Sequence, residues 1–175
     1  MALNDTKVLE LFSGIGGMRC ALASAGLTMS SKITAVDVNT ESNKVYARSY
    51  GDSPIAKNIA SAGVKWFDSM AADMWTLSPP CQPYTRQGKQ QDSEDCRATA
   101  LGRITQVLCE MKTPPRVILL ENVVHFEKSA SLRQLLKALQ KIGGYHWRGF
   151  MLNPMQFGFP NSRTRFYLVA IRGES

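Results

Sequence analysis

The chain has 175 residues, of which 44% are hydrophobic and 20% are charged, and this fits one domain with a substantial core. Its net charge is +7, it has no apolar run of about 18 residues, and its N-terminus lacks a basic segment followed by an apolar one. We therefore expect no membrane-spanning helix and no signal peptide, and we expect an intracellular protein of the cytoplasm, the nucleus or both.

The first half of the chain alternates apolar strand-like runs with amphipathic segments that end at glycine. Residues 51–65 are ambiguous. The predicted elements are a strand at Lys7–Phe12, a helix near Met18–Ala25, a strand at Ile33–Asp37, a helix from Thr40 as N-cap to Tyr50, and a strand at Met74–Ser78.

The second half begins with a polar loop, residues 82–97, which we expect to move. The elements predicted after it are a helix near Thr99–Lys112, a strand at Val117–Glu121, a helix near Ser131–Ile142 with a Ser131/Gln134 capping box, and antiparallel strands at Tyr145–Leu152 and Phe166–Ile171. The alternation predicts the α/β class, with a doubly wound, Rossmann-like sheet that is mostly parallel and ends in an antiparallel hairpin.

A glycine-rich turn, Phe12-Ser13-Gly14-Ile15-Gly16-Gly17, follows the first strand. Glycines there permit a tight turn and let a ligand approach main-chain N–H groups near a helix N-terminus. Asp37 ends the second strand, where a carboxylate binds the hydroxyls of a ribose. Together they favour a nucleoside-bearing cofactor, although Asp37 as a cap of the following helix is an open alternative.

The pentapeptide Ser78-Pro79-Pro80-Cys81-Gln82 follows another strand. Two consecutive prolines stiffen the main chain, so the loop presents the Cys81 thiol in one direction. This favours a nucleophile, and a small buried hydrophobe beside a Pro-Pro turn is the alternative.

A carboxylate and two arginines complete the set of candidate site residues. Glu121 emerges from an apolar strand, where partial burial would raise its pKa and suit it to proton transfer. Arg163 and Arg165 are two residues apart, so in an extended chain they point to the same side and can hold an anion or a carbonyl oxygen.

The positive charge is unevenly distributed. Residues 1–85 contain seven Lys/Arg and seven Asp/Glu, whereas residues 86–175 contain fourteen and seven, so the second half carries the whole excess. This favours a polyanionic partner, because phosphate neutralisation supplies the sequence-independent part of nucleic-acid binding. Arg133, Lys137 and Lys141 recur at helical spacing, which leaves open a plain solvated helix face.

The cysteine pattern predicts no metal site and no disulfide framework. Cys20, Cys81, Cys96 and Cys109 are irregularly spaced and form no Cys-x-x-Cys pair, so we expect free thiols in a reducing compartment.

Four motifs stand together in one order: the Phe12–Gly17 turn, the Ser78–Gln82 loop, Glu121-Asn122-Val123 and the Gln156–Arg165 segment. In this order and spacing the chain resembles the cytosine-5 methyltransferases. Asp37-Val38-Asn39 and the run Ser78–Gly88 resemble the eukaryotic branch that acts on the anticodon-loop cytosine of aspartate transfer RNA, a DNA-methyltransferase homologue.

The resemblance implies S-adenosylmethionine as the cofactor. The Phe12–Gly17 turn would line its methionine and adenosine parts, Asp37 would hold the ribose, and Asn58 and Ile59 would flank the adenine, with Asn58 standing where the family often has Asp. The cofactor site so implied comprises Phe12, Ser13, Gly14, Ile15, Gly16, Gly17, Asp37, Val38, Asn58, Ile59, Ser78 and Pro80.

The resemblance also implies the catalytic roles. Cys81 would add to C6 of cytosine, Glu121 would bond to N3 and the exocyclic amine, and Arg165, with Arg163 nearby, would hold O2 or an adjoining phosphate. The base must leave its stack for this geometry. We expect a nucleic-acid partner, with transfer RNA favoured over DNA, and the oligomeric state is left open.

Family members are longer, and they continue into a target-recognition region and a segment that completes the cofactor pocket. This chain stops at Ser175, and the Cys-Phe-Thr sequence typical of the transfer-RNA branch is absent. We expect residues 1–175 to be the catalytic domain of a truncated form. A DNA methyltransferase and a binding module without turnover are the alternatives; a Rossmann oxidoreductase is disfavoured, because it leaves Cys81, Glu121 and Arg165 without roles.

Overall fold

The fold comes from a computed structural model that describes residues 6–26, 32–80 and 99–173. Cys81, Cys96 and the predicted polar loop at residues 82–97 lie outside these ranges. Among the described helices, none is both long and apolar enough to cross a bilayer.

The described strands form one seven-stranded sheet in the order β3-β2-β1-β4-β5-β7-β6. The first five strands are parallel, and β7 runs antiparallel to both β5 and β6. The strands are β1 (Val8–Leu11), β2 (Ile33–Asp37), β3 (Ile55–Ala56), β4 (Met74–Leu77), β5 (Val117–Val123), β6 (Tyr145–Leu152) and β7 (Arg165–Arg172).

Within the described ranges, five α-helices connect the strands, with three short 3₁₀ turns between them. The helices are α1 (Gly17–Ser24), α2 (Thr40–Tyr50), α3 (Val64–Met70), α4 (Thr99–Glu110) and α5 (Ala130–Ile142). The 3₁₀ turns are Ile59–Ser61, Phe126–Lys128 and Pro154–Phe157.

Apolar side chains are buried on both faces of the central strands, as the near-continuous apolar runs predict. Leu9 and Leu11 of β1 join the main core together with α3, α4 and α5. Val8 points to the opposite face, where it packs with Leu22 of α1. The prediction of a doubly wound α/β sheet with a C-terminal antiparallel hairpin is therefore confirmed.

Helix α5 shows how the sequence pattern produces this packing. Leu132, Leu135, Ala138 and Leu139 form its buried stripe. Arg133, Lys137 and Lys141 lie on its exposed face.

Several predicted boundaries were wrong. The N-cap of α2 is Asn39 and not Thr40, because the Asn39 side chain accepts the N–H groups of Glu41 and Ser42. Strand β5 continues through Val123, since pairing with β7 extends it past Glu121. Helix α3, which the sequence pattern did not reveal, begins at Val64, within the end of the segment left ambiguous.

The predicted Ser131/Gln134 capping box was also wrong. Helix α5 begins one residue earlier, and its N-cap is Ser129, whose hydroxyl accepts the N–H of Leu132 at 3.0 Å. A serine two positions before the predicted cap satisfies a main-chain donor that would otherwise have no partner.

We predict that Ser129→Ala lowers the free energy of unfolding by about 1 kcal/mol, because it removes this cap. The exposed Gln134 is the matched control, and Gln134→Ala should change stability by less than about 0.5 kcal/mol. Urea unfolding of both variants checks this. A larger loss for Gln134→Ala than for Ser129→Ala would restore the capping box that the sequence suggested.

Candidate active site

The candidate site lies at the edge of the sheet where the parallel strands end. Leu11 of β1 is level with Leu77 of β4, and Leu77 is level with Leu120 of β5. The turns that follow these strands therefore emerge side by side. Because β7 is antiparallel, its first residue, Arg165, also lies at this edge.

The turn after β1 is held by main-chain hydrogen bonds. The N–H of Ser13 donates to Val36 O at 3.1 Å, and the N–H of Gly16 donates to Ser13 O at 2.9 Å. Phe12 has a positive φ of 60°, an uncommon conformation for a residue with a side chain. A main chain so constrained presents a fixed cradle to a ligand.

Gly16 occupies the tightest position of this turn. Its φ is +94°, and a Cβ built there would lie 2.3 Å from Cε2 of Tyr50. The Tyr50 hydroxyl donates to Gly16 O at 2.8 Å. The C-terminal end of α2 therefore packs directly against the turn and leaves no room for a side chain at residue 16.

Asp37 joins two turns through one carboxylate. Its Oδ2 accepts the N–H of Gly14 at 2.9 Å, and its Oδ1 accepts the N–H of Asn39 at 2.8 Å. Since Asn39 caps α2, the alternative role of Asp37 as that cap is wrong. Each carboxylate oxygen keeps a further lone pair, so Asp37 can still accept a ligand hydroxyl.

A buried polar cluster beneath the turn was not anticipated from the motifs. Glu10 lies 1% exposed in β1 and accepts the Tyr46 hydroxyl at 2.8 Å and the N–H of Arg19 at 3.2 Å. Burial raises the pKa of the Glu10 carboxyl, and these hydrogen bonds only partly offset it. The signal in the sequence was the single acid inside the apolar run Val8-Leu9-Glu10-Leu11.

Arg19 links this cluster to the Gly16 contact. Its Nη2 bonds to Asp52 Oδ2 at 2.8 Å, and its guanidinium lies 4.6 Å from the centre of the Tyr50 ring. The cation thus covers the outer side of the tyrosine that supports the turn.

Glu121 and Arg165 form an ion pair at the same edge, with 3.3 Å between Glu121 Oε1 and Arg165 Nε. The two side chains are only 26% and 18% exposed. Burial raises the pKa of the Glu121 carboxyl, while Arg165 and Arg163 act in the opposite direction. The structure therefore brings together the predicted acid and one predicted arginine, and Arg163 is exposed nearby.

The Pro-Pro loop is tied to both neighbouring strands. The N–H of Ser78 donates to Leu11 O at 3.3 Å, and Asn122 Nδ2 donates to Pro79 O at 3.4 Å. Ser78 is half-buried and Pro80 is exposed. The loop is thus anchored through Pro79, and Cys81 itself lies outside the described ranges.

The other predicted cofactor residues differ in exposure and in the contacts that they make. Ile15 and Val38 are exposed apolar side chains on the turns after β1 and β2. Asn58 accepts the N–H of Ala60 at 2.9 Å, and Ile59 is buried in the core. Their contact with a cofactor stays a prediction. The described residues contain no group of three or more His, Cys, Asp or Glu that could hold a metal ion.

Comparisons with known proteins agree with this geometry. Residues 6–175 match the family described as C-5 cytosine-specific DNA methylase. The human tRNA (cytosine(38)-C(5))-methyltransferase is 39% identical over 96% of this chain, and the DNA (cytosine-5)-methyltransferase of Dictyostelium discoideum is 38% identical over 97%. These matches cover 43% and 45% of the two relatives.

A solved structure gives the same result. The crystal structure of the S. pombe Dnmt2 methyltransferase superposes with a TM-score of 0.84 at 38% identity, covering 97% of this chain and 53% of that chain. The chain therefore spans about half the length of the relatives it matches. These matches confirm the resemblance that the four motifs carry.

We predict that Gly16→Ala lowers the free energy of unfolding by more than about 1 kcal/mol, because a left-handed φ is strained for alanine and the new Cβ clashes with Tyr50. Gly102→Ala in α4 is the control. No atom lies within 4 Å of the position that a Cβ would take at Gly102, so alanine there should stabilise by up to about 1 kcal/mol.

A double-mutant cycle measured by urea unfolding separates the two causes. In a Tyr50→Ala background the 2.3 Å clash is gone, and the backbone strain and the 3.1 Å contacts with the Tyr46 ring are left, so Gly16→Ala should be less harmful there. An equal loss in both backgrounds would exclude the Tyr50 contact as a cause.

We further predict a pH-dependent stabilisation by Glu121→Gln. Because the pKa of Glu121 is raised in the folded state, the Glu121 carboxyl contributes favourably to the free energy of unfolding below the ordinary carboxyl pKa. This contribution is lost as pH rises through the folded pKa. Between about pH 4 and pH 8, the melting temperature of Glu121→Gln should therefore rise relative to the parent protein.

Gln134→Ala, at an exposed position of α5, provides the control: it adds and removes no titrating group, so its melting temperature relative to the parent protein should not change with pH. If the melting temperature of Glu121→Gln instead falls relative to the parent protein as pH rises, attraction of the Glu121 carboxylate to Arg165 and Arg163 outweighs its desolvation.

Proposed function

Because the chain belongs to the C-5 cytosine-specific DNA methylase family, we propose that it transfers a methyl group from S-adenosylmethionine to C5 of cytosine in RNA. The single observation that carries this proposal is the half-buried Glu121–Arg165 pair beside the anchored loop that leads to Cys81. An acid and a cation at the sheet edge, beside the loop that leads to Cys81, match the needs of an otherwise unreactive base.

The residues at the edge fit the cofactor of this family. No atom lies within 4 Å of the position that a Cβ would take at Gly14 or Gly17, so a ligand can approach the main chain there, and Asp37 retains lone pairs for ribose hydroxyls. The exposed apolar side chains of Ile15 and Val38 offer surface to an adenine. When bound, S-adenosylmethionine supplies an electrophilic methyl group on a sulfonium.

The chain's own residues would activate the base. The Cys81 thiolate forms a bond to C6, which moves electron density towards N3 and C5. The raised pKa of Glu121 favours its protonated form, whose O–H would donate to N3 while its other oxygen accepts a hydrogen bond from the exocyclic amine. Arg165 holds O2 or an adjoining phosphate. After C5 has gained the methyl group, loss of the C5 proton to a base lets the C6–S bond break.

RNA is the proposed substrate, and the proposed target within RNA is the anticodon-loop cytosine of aspartate transfer RNA. A loop cytosine is already partly unstacked, so presenting it costs less than extruding one from a duplex. The name of the human relative refers to tRNA cytosine 38. The name of the Dictyostelium relative refers to DNA, so duplex DNA is the second candidate substrate.

We predict that the protein transfers the labelled methyl group of S-adenosylmethionine to transfer RNA faster than to duplex DNA at the same salt concentration. Cys81→Ala and Glu121→Gln should each reduce transfer by at least about 100-fold, because each removes a group that acts on the base. Cys109→Ala, at an exposed thiol of α4, should keep full activity.

Binding without turnover is measured separately. At about 100 times its dissociation constant, S-adenosylhomocysteine should stabilise the fold by about 2.7 kcal/mol in the parent and in Cys81→Ala. Faster methylation of DNA would reverse the substrate assignment. A thermal shift without methylation of either nucleic acid would identify a binding module.

A further inference from the structure

The connection between β6 and β7 exposes three large apolar side chains. Met155, Phe157 and Phe159 are 61%, 62% and 65% exposed. Neither phenylalanine ring belongs to the main core, and neither stacks on another ring of the described residues. Several large apolar side chains exposed within one short connection mark a surface that contacts something else.

The connection is rigidly built, so the exposure belongs to a defined surface. Asn153 and Gln156 form a reciprocal capping box around the 3₁₀ turn. Asn153 Oδ1 accepts the N–H of Met155 at 3.1 Å, and Gln156 Oε1 accepts the N–H of Asn153 at 2.8 Å. The N–H of Phe159 donates to Pro154 O at 3.2 Å. Asn153 Nδ2 also bonds to Thr164 Oγ1 at 3.1 Å, which closes the base of the loop.

The loop lies beside the Glu121–Arg165 pair. It leaves β6 after Leu152 and enters β7 at Arg165, and these two residues are cross-strand partners. Both strand ends are therefore at the edge of the sheet where the candidate active site lies. Arg163, exposed in the same connection, is close enough for its charge to act on the Glu121 carboxyl.

The charge of this region selects the class of partner. Residues 128–173 contain eight Lys/Arg and no Asp/Glu. Within the connection itself Arg163 is the exposed cation, and exposed aromatic rings beside a cation are typical of surfaces that bind single-stranded nucleic acid. There the rings stack on bases while the cations neutralise phosphates.

We infer that Phe157 and Phe159 stack on the unpaired bases that flank the target cytosine in an RNA loop. The inference rests on the proposed function, since that function supplies the RNA. It adds the contact that holds the neighbouring nucleotides while the target base leaves the stack. Arg163 supplies a phosphate contact beside the two rings.

The test is binding of an RNA stem-loop with an unpaired cytosine, measured by fluorescence anisotropy. Phe157→Ala and Phe159→Ala should each weaken binding by about 5- to 100-fold, whereas Phe→Trp at either position should retain it. Trp147→Ala is the matched control, because Trp147 is an exposed aromatic residue of β6 that pairs with Ala170, well away from Arg165.

Salt dependence separates stacking from phosphate contact. The alanine variants should keep the salt slope of the parent protein, whereas Arg163→Gln should reduce that slope by about 1. Phe157→Leu and Phe159→Leu preserve apolar bulk, so reduced RNA binding at an unchanged melting temperature assigns the loss to stacking. S-adenosylhomocysteine binding should be unchanged in all these variants.

The outcomes distinguish this inference from the proposed function. Unchanged RNA binding by the double Phe157→Ala/Phe159→Ala variant overturns the stacking surface, even if methyl transfer to RNA occurs. The stacking surface is also overturned if this double variant loses self-association of the protein but binds RNA as the parent does. Weakened RNA binding without any methyl transfer by the parent protein supports the surface and rejects the proposed activity.

Discussion

The pairing of β5 with β7 is the constraint on which the candidate site depends. Ile118, Leu120 and Asn122 are buried on one face of β5, so a slip by one residue would exchange them with the partly exposed face. The same register sets Tyr167 opposite Glu121 and Arg165 opposite Val123. Burial of apolar side chains on one face thereby positions a carboxylate and a guanidinium on the other.

Two carboxylates of the sheet, one buried and one partly buried, have different roles. The pKa values of Glu10 and Glu121 are both raised, chiefly by desolvation. Glu10 is enclosed and receives hydrogen bonds from Tyr46 and the main chain, which makes it a support for the glycine-rich turn. Glu121 keeps an exposed side and a cation as neighbour, so it can exchange protons with a bound molecule.

Periodicity predicted the order of strands and helices because strong apolar patterns dominate the sheet. It failed where tertiary contacts decide: α3 is short, and burial of Phe67 in the core stabilises it. It also misplaced the cap of α5, since Ser129 and Ser131 are both plausible caps in the sequence. The motifs located the turns and the Glu121–Arg165 pair, whereas the cluster around Glu10 joins residues up to 36 positions apart and has no local signature.

The bond between Asn153 and Thr164 has a consequence for how such a protein can diversify. A loop that is closed at its base can change its internal sequence or length without altering the strands that enter and leave it. Substitutions among the intervening residues would then leave Glu121 and Arg165 in place. Lineages could exchange this loop to acquire new targets while inheriting the same chemistry, and a grafted loop would offer the same freedom to protein engineering.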